Sequence, residues 1–109
     1  MEYTIKKHLD YSVISLAGDI DLNESPNVRH QILESLKINL NLLIDLSKVD
    51  YIDSSGVASL VEGLQTARSQ KLNFALVGVS ESAIQVLQLA RLDTVFTIYD
   101  SINDVDINE

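Results

Sequence analysis

The stretch VDYIDSSGVASLVEGL, residues 49–64, joins two hydrophobic patterns of different period. Strand-like apolar character stops at Asp53, and two serines and a glycine follow. Beyond them, apolar residues recur every three or four positions, which is typical of an amphipathic helix and predicts one from about Ser55 to Arg68. The stretch therefore predicts a strand, a short loop and a helix, with adjacent hydroxyls where the loop meets the helix.

Five more segments have the composition of strands. YTIKKHL and YSVISLAG flank a turn at Asp10 and predict an antiparallel hairpin. NLLIDL, residues 41–46, and NFALVGV, residues 73–79, are continuous apolar runs, which are typical of strands buried on both faces and predict a central position for both. VFTIYD predicts a last short strand, and SINDVDINE predicts a short helical or frayed tail.

Two further helices complete the order of elements. One is predicted from Asn23 or Ser25 to about Lys37, and another from Ser80 or Ser82 through Leu89. A hairpin followed by alternating helices and strands requires helical crossovers between parallel strands. The sequence therefore predicts one α/β domain over residues 1–109, with a mixed sheet, a parallel core and helices mainly on one face.

Composition excludes several classes of protein. The chain has 109 residues, of which 46% are hydrophobic, so it can bury an ordinary core. Its net charge of -8 argues against binding to a nucleic-acid backbone and favours a basic protein surface as partner. No apolar run is long enough for membrane insertion, and there are no cysteines, so we expect a cytoplasmic protein without disulfides.

Motifs for catalysis are missing from the sequence. Residues 52–56 read IDSSG and not G-x-S-x-G, and the sequence contains neither a P-loop nor a dinucleotide fingerprint. His8 and His30 lie apart, in different predicted elements, so neither serine has an obvious general base. The scattered aspartates form no dense ligand pattern. We therefore expect neither an enzyme nor a protein with a cofactor or a metal.

The DSSG sequence at residues 53–56 has two interpretations. The structural one is a helix N-cap, because Ser and Asp side chains accept hydrogen bonds from the first N–H groups of a helix, and glycine permits a sharp turn there. The functional one is a phosphoacceptor, because a helix N-terminus tolerates a phosphate and the added charge can switch the binding of a partner. A cap requires only one of the two serines.

Three motifs in this order resemble the anti-sigma-factor antagonists, small members of the STAS superfamily. Gly18, Asp19, Ile20 and Asp21 are similar to the family's G-E-L-D turn. The family's strand leading into D-S-S-G is similar to LLIDLSKVDYIDSSG in this chain. Its closing strand–helix–strand unit resembles NFALVGVSESAIQVLQLARLDTVFTIYDS. The likeness covers nearly the whole chain and implies a single STAS domain over residues 1–109.

The resemblance implies a partner switch controlled by phosphorylation. The unmodified protein would bind an anti-sigma factor that is also a serine kinase, and a sigma factor would be released. The kinase would phosphorylate Ser54, and a metal-dependent serine phosphatase would reset the protein. By the same likeness, Asp21 and Asp53 flank the acceptor as partner-facing carboxylates, while Ser55 and Gly56 shape the start of the helix. We expect a monomer, with a weak dimer as the alternative.

Other members of the superfamily leave a second function open. Some are cytoplasmic subunits of phospholipid-transport ABC systems, in which a similar serine loop meets an ATPase subunit, and others are scaffolds or transporter tails. The Gly18–Asp21 motif and the complete DSSG favour the antagonist. The kinase and the process under control are not specified by any motif in the chain.

Overall fold

A computed structural model of the protein describes residues 3–105. Five strands form one sheet in the sequential order β1-β2-β3-β4-β5, in which the first pair is antiparallel and the other pairs are parallel. The strands are β1 (Thr4–His8), β2 (Tyr11–Ile20), β3 (Asn41–Ile52), β4 (Phe74–Val77) and β5 (Thr97–Tyr99). The predicted hairpin and parallel core are confirmed, and both apolar runs form strands with neighbours on each side.

Three helices connect the parallel strands: α1 (Ser25–Lys37), α2 (Ser54–Ser69) and α3 (Glu81–Leu89). A single 3₁₀ turn, Ile102–Asp104, follows β5, in agreement with the predicted short helical tail, whose last four residues lie outside the described part of the chain. Within residues 3–105, no helix combines the length and the apolar character required to cross a bilayer.

The main core lies between one face of the sheet and the three helices, which confirms the predicted placement. Val28, Ile32 and Leu36 of α1 pack there with Leu60 of α2 and Leu87 of α3. The opposite face carries a smaller cluster that contains no residue of these helices; its buried members are Tyr11, Val13, Leu43, Ala75, Val77 and Val105. The central strands are therefore buried on both faces, as their continuous apolar character predicts.

Two strands run further than their apolar segments indicate. The prediction ends β2 at Gly18, but the strand continues to Ile20. The apolar run of residues 41–46 and the strand predicted before Asp53 form one continuous strand, which ends at Ile52. The ends of β2 and β3 pair with each other, and the register of this pairing shifts once before Gly18 and once after it. Gly18 has a φ of 78°, a left-handed conformation that glycine adopts without strain. Backbone pairing thus holds polar residues in these strands.

The start of α1 also differs from prediction. Neither Asn23 nor Ser25 caps the helix, because Glu24 occupies the N-cap position without a side-chain capping bond. Instead the carboxylate of Asp21 accepts hydrogen bonds from the N–H groups of Asn23 and Glu24, at 3.0 and 3.1 Å. Aspartate side chains commonly order a turn in this way, by accepting a hydrogen bond from the backbone N–H two residues further along the chain.

Candidate functional site

The candidate site lies at the carboxyl ends of β2 and β3. Ile20 and Ile52 are register partners in this parallel pair, so the residues that follow them leave the sheet side by side. The N–H of Asp53 donates to the carbonyl of Ile20 at 3.2 Å, which fixes the DSSG segment against the end of β2. The fold therefore brings the loop of Asp21 next to the start of α2.

Asp53 is the N-cap of α2. Its Oδ1 accepts hydrogen bonds from the N–H of Ser55 at 2.9 Å and from the N–H of Gly56 at 3.2 Å. The Ser55 hydroxyl donates to the same oxygen at 2.5 Å. That hydroxyl bond, and then the N–H bonds from Gly56, Ser55 and Leu22, outweigh partial burial and hold the pKa of Asp53 below its ordinary value. The cap is a carboxylate, and one serine hydroxyl is bound to it.

Ser54 is the first residue of α2 and is exposed. Its hydroxyl makes no hydrogen bond to any residue within 3–105, in contrast to the hydroxyl of Ser55. The positive dipole end of a helix of 16 residues lies beside it. The arrangement offers one accessible hydroxyl in a setting that can accommodate added negative charge.

The Asp21 loop is held in place by a second set of contacts. The hydroxyl of Tyr3 donates to Oε1 of Glu24 at 2.6 Å, and Glu24 is one of the two residues whose N–H groups bond to Asp21. Burial, followed by this bond to Glu24, raises the pKa of the buried Tyr3 hydroxyl. The side chain of Gln31 bonds to both the N–H and the carbonyl of Tyr3, at 2.9 and 2.6 Å. The start of the sheet thus supports the loop that carries Asp21.

Gly56 is buried and lies inside α2, where no positive φ is found, so the predicted sharp turn at this glycine is wrong. Close packing explains the residue instead. A Cβ at this position would lie 2.7 Å from Cγ1 of Ile52 and 2.8 Å from the carbonyl oxygen of Ile20. The absence of a side chain lets the first turn of α2 approach the ends of both strands.

All five predicted site residues lie at this end of the molecule: Asp21, Asp53, Ser54, Ser55 and Gly56. Two exposed apolar side chains beside them were missed by sequence reasoning, namely Leu22 and Tyr51, whose exposed fractions are 73% and 51%. Each directly follows an aspartate in the motifs DLN and DYI, and that alternation is the signal that could have identified them. Large solvent-exposed apolar side chains are frequent at surfaces that bind proteins.

The alternative chemistries have little support at this site. His8 and His30 line two different surface depressions, and neither histidine is hydrogen-bonded to Ser54 or Ser55 within the described residues. Between positions 3 and 105, no group of three or more His, Cys, Asp or Glu side chains is arranged to hold a metal ion.

Comparisons with known proteins agree with this geometry. The family model described as STAS domain matches residues 2–105. The anti-sigma-B factor antagonist of Listeria monocytogenes is 27% identical over 94 residues, which is 85% of this chain and 82% of that protein. The anti-sigma-F factor antagonist of Mycobacterium tuberculosis is 28% identical over 102 residues, or 93% and 83% of the two chains. The crystal structure of a candidate anti-sigma factor antagonist from Thermotoga maritima superposes with a TM-score of 0.87 at 26% identity and covers 94% of this chain and 89% of that one.

Proposed function

Because the chain belongs to the STAS domain family, we propose that it is an anti-sigma-factor antagonist switched by phosphorylation of Ser54. Its unmodified form binds an anti-sigma factor that is also a serine kinase, and the sigma factor is released. Phosphorylation of Ser54 by that kinase ends the interaction, and a metal-dependent serine phosphatase restores it. The chain itself supplies a binding surface and an acceptor, and it carries out no catalysis.

The observation that supports this proposal is the difference between two adjacent serines. The Ser55 hydroxyl is bound to the Asp53 carboxylate at 2.5 Å, whereas the exposed Ser54 hydroxyl has no partner among the described residues. A kinase needs an accessible hydroxyl that can enter its active site. Ser54 meets that requirement without the loss of any bond that holds α2.

Electrostatics gives the switch its expected direction. A phosphate on Ser54 adds about -1.5 to -2 charges next to Asp53 and the Asp21 loop, in a chain whose net charge is already -8. The adjacent helix N-terminus favours the added charge, so the fold has little reason to rearrange. The effect therefore falls on the partner, whose surface was complementary to an uncharged hydroxyl. Because the kinase uses ATP, we place this exchange in the cytoplasm.

The neighbouring side chains extend the binding surface. Asp21 is half-buried and orders its own loop through one carboxylate oxygen, Oδ1. Leu22, the next residue, exposes 73% of its side chain, and Tyr51 lies at the end of the adjacent strand. We propose that Asp21 and Asp53 accept hydrogen bonds from the anti-sigma factor, that the apolar side chains pack against it, and that a carboxylate of the partner lies opposite the Ser54 hydroxyl.

A pull-down from cells in which the protein is native tests the proposal. Unmodified protein and Ser54→Ala are immobilised side by side, and bound proteins are identified by mass spectrometry before and after addition of ATP and Mg²⁺. Both baits should capture an anti-sigma factor with a kinase fold. ATP should release it from the wild-type protein alone, with a phosphate on Ser54.

Two results contradict the proposal. Release of the partner from Ser54→Ala at the wild-type rate would show that another event ends the interaction. Capture of the ATPase subunit of a phospholipid transporter, with no anti-sigma factor, would support the alternative function of the superfamily.

A further inference from the structure

A second potential site lies on the sheet face that carries no helix, away from Ser54. There, β1, β2 and β3 enclose a cavity of about 310 Å³, closed on one side by Ile102 of the 3₁₀ turn. Lys6 is the register partner of Val13, and Ser15 is that of Asp45, so these side chains project from the same face. None of Asp21, Asp53 and Ser54 lines this cavity.

The lining of the cavity has the opposite charge to the rest of the chain. Three of the protein's eight Lys and Arg residues line it, Lys6, Lys7 and Lys48, and His8 lies beside them. Among the described residues, one acidic residue shares the lining, Asp45, and its Oδ1 accepts a hydrogen bond from the N–H of Ser47 at 2.9 Å. Lys6 pairs with Val13 and Lys48 with Ala17, so both side chains project from this face, whereas Lys7 pairs with Ser12 and projects from the other face. Two lysines on one small cavity form a local positive field in a chain of net charge -8.

Among the described residues, none of these lysines forms a salt bridge. Within residues 3–105, the one salt bridge joins Arg29 and Glu62, on α1 and α2, and includes no lysine. The ammonium groups of Lys6 and Lys48 are therefore available to an anion, and Ser15 and Ser47 line the same space. Lysine binds phosphate as a mobile point charge with three donors, so two lysines around one depression suit a ligand that carries two negative charges.

The floor of the cavity adds an apolar requirement. Val13 is 3% exposed and belongs to the smaller cluster, against which the partly buried Ile102 packs. The volume falls at the lower end of the range for small-molecule sites, which combine an apolar lining with a few polar groups. We propose that this cavity binds a compact organic phosphate, with the phosphate between Lys6 and Lys48 and the apolar part against Val13 and Ile102.

Titration with phenyl phosphate, followed by ¹⁵N–¹H NMR, tests the site. In the wild-type protein, saturable shifts should concentrate at Lys6, His8, Ser15 and Ser47. The double variant Lys6→Gln/Lys48→Gln should bind at least tenfold more weakly. The matched control is Lys37→Gln/Lys71→Gln, which makes the same change in net charge at two exposed lysines outside the cavity and should bind within twofold of wild type.

All four substituted lysines are exposed, so both double variants should fold, and their dispersed spectra verify this. Equal weakening in the two variants would show a general charge effect and overturn the site. Inorganic phosphate that binds as tightly as phenyl phosphate would overturn the apolar part of the assignment. Shifts that do not saturate, or binding to phosphatidylglycerol vesicles in place of phenyl phosphate, would overturn a soluble ligand.

Discussion

The starts of α2 and α3 use serine in opposite ways. At α3, the Ser80 hydroxyl accepts from the N–H of Ala83 at 3.3 Å and donates to the carbonyl of Val49 at 2.8 Å, so it caps the helix and ties it to β3. At α2, Asp53 performs the capping and also binds the hydroxyl of Ser55. Ser54 is thereby left exposed and unbonded among the described residues.

The role of a serine at a helix start therefore depends on whether it occupies the N-cap position or the position after it. A residue at the N-cap turns its side chain back toward the first N–H groups, whereas a residue one step further on has helical backbone and no such partner. An aspartate at the cap therefore frees the serine that follows it. Substitutions at the two helix starts test this contrast.

Charge at Ser54 should have the largest effect. A phosphate brought within about 6 Å of a partner carboxylate costs roughly 3 kcal/mol per unit of charge at an effective dielectric of about 20, which is about a hundredfold in affinity. Isothermal titration calorimetry with the anti-sigma factor measures this change in affinity. Ser54→Asp should bind more weakly than wild type, with part of the full effect, and Ser82→Asp, at an exposed first-turn position of α3, should bind normally.

Gly56 and Ala83 lie three residues after the N-caps of α2 and α3. The substitutions Gly56→Ala and Ala83→Gly should lower the free energy of unfolding by different amounts. Gly56→Ala places a Cβ 2.8 Å from the backbone oxygen of Ile20, which cannot move aside as a side chain can. Overpacking of this kind lowers the free energy of unfolding by about 1 to 3 kcal/mol. Ala83→Gly should lower it by about 1 kcal/mol through helix propensity and a lost methyl contact. Urea unfolding measures both, and a Gly56→Ala protein as stable as wild type would refute the close approach.

Substitution of Ser80 and of Ser54 by alanine should change the free energy of unfolding by different amounts, because only the Ser80 hydroxyl forms hydrogen bonds within the described residues. Ser80→Ala removes the cap of α3 and its bond to β3, so the free energy of unfolding should fall by about 1 to 2 kcal/mol. Ser54→Ala removes no bond within the described residues and should change it by less than about 0.5 kcal/mol. Thermal and urea unfolding under matched conditions compare them. Equal losses at the two positions would contradict the assigned division of roles.

The cap at Asp53 should add a modest dependence of stability on pH. Its pKa in the folded protein lies below the ordinary aspartate value of 3.8, so folding favours the charged form. That stabilisation is fully present well above pH 3.8 and is lost as the pH falls through the lowered pKa. The difference in Tm between wild type and Asp53→Asn should therefore be constant near neutrality and shrink as the pH falls below about 4. A difference that grows on acidification would mean that the bond from Ser55 does not favour the carboxylate.

Much of the fold follows from hydrophobic pattern alone. The apolar runs at residues 41–46 and 73–79 form the central strands, and the helical period after Gly56 forms α2. The end of β2 and the continuity of β3 across residues 47–50 could not be predicted, because they depend on pairing between segments about thirty residues apart, which a local pattern does not contain. The same limit applies to Gly56, whose role is set by the backbone of β2.

The site was predictable as a motif but not as a set of bonds. The DSSG motif and the likeness to a family indicated the residues, and the fold brings them together. Which side chain caps α2 was open, because Asp and Ser are nearly equivalent at an N-cap. Tertiary placement resolves it, since the N–H of Asp53 is held by Ile20 at the end of β2 and its carboxylate faces the first turn.

The most direct test of the central claim is phosphosite mapping by mass spectrometry on protein isolated from the cells in which it is native. Wild type, Ser54→Ala and Ser55→Ala are compared. We predict a single phosphate on Ser54 in the wild type and in Ser55→Ala, and none in Ser54→Ala. A phosphate on Ser55 in the wild-type protein, or an unmodified Ser54 under every condition of growth, would contradict the account.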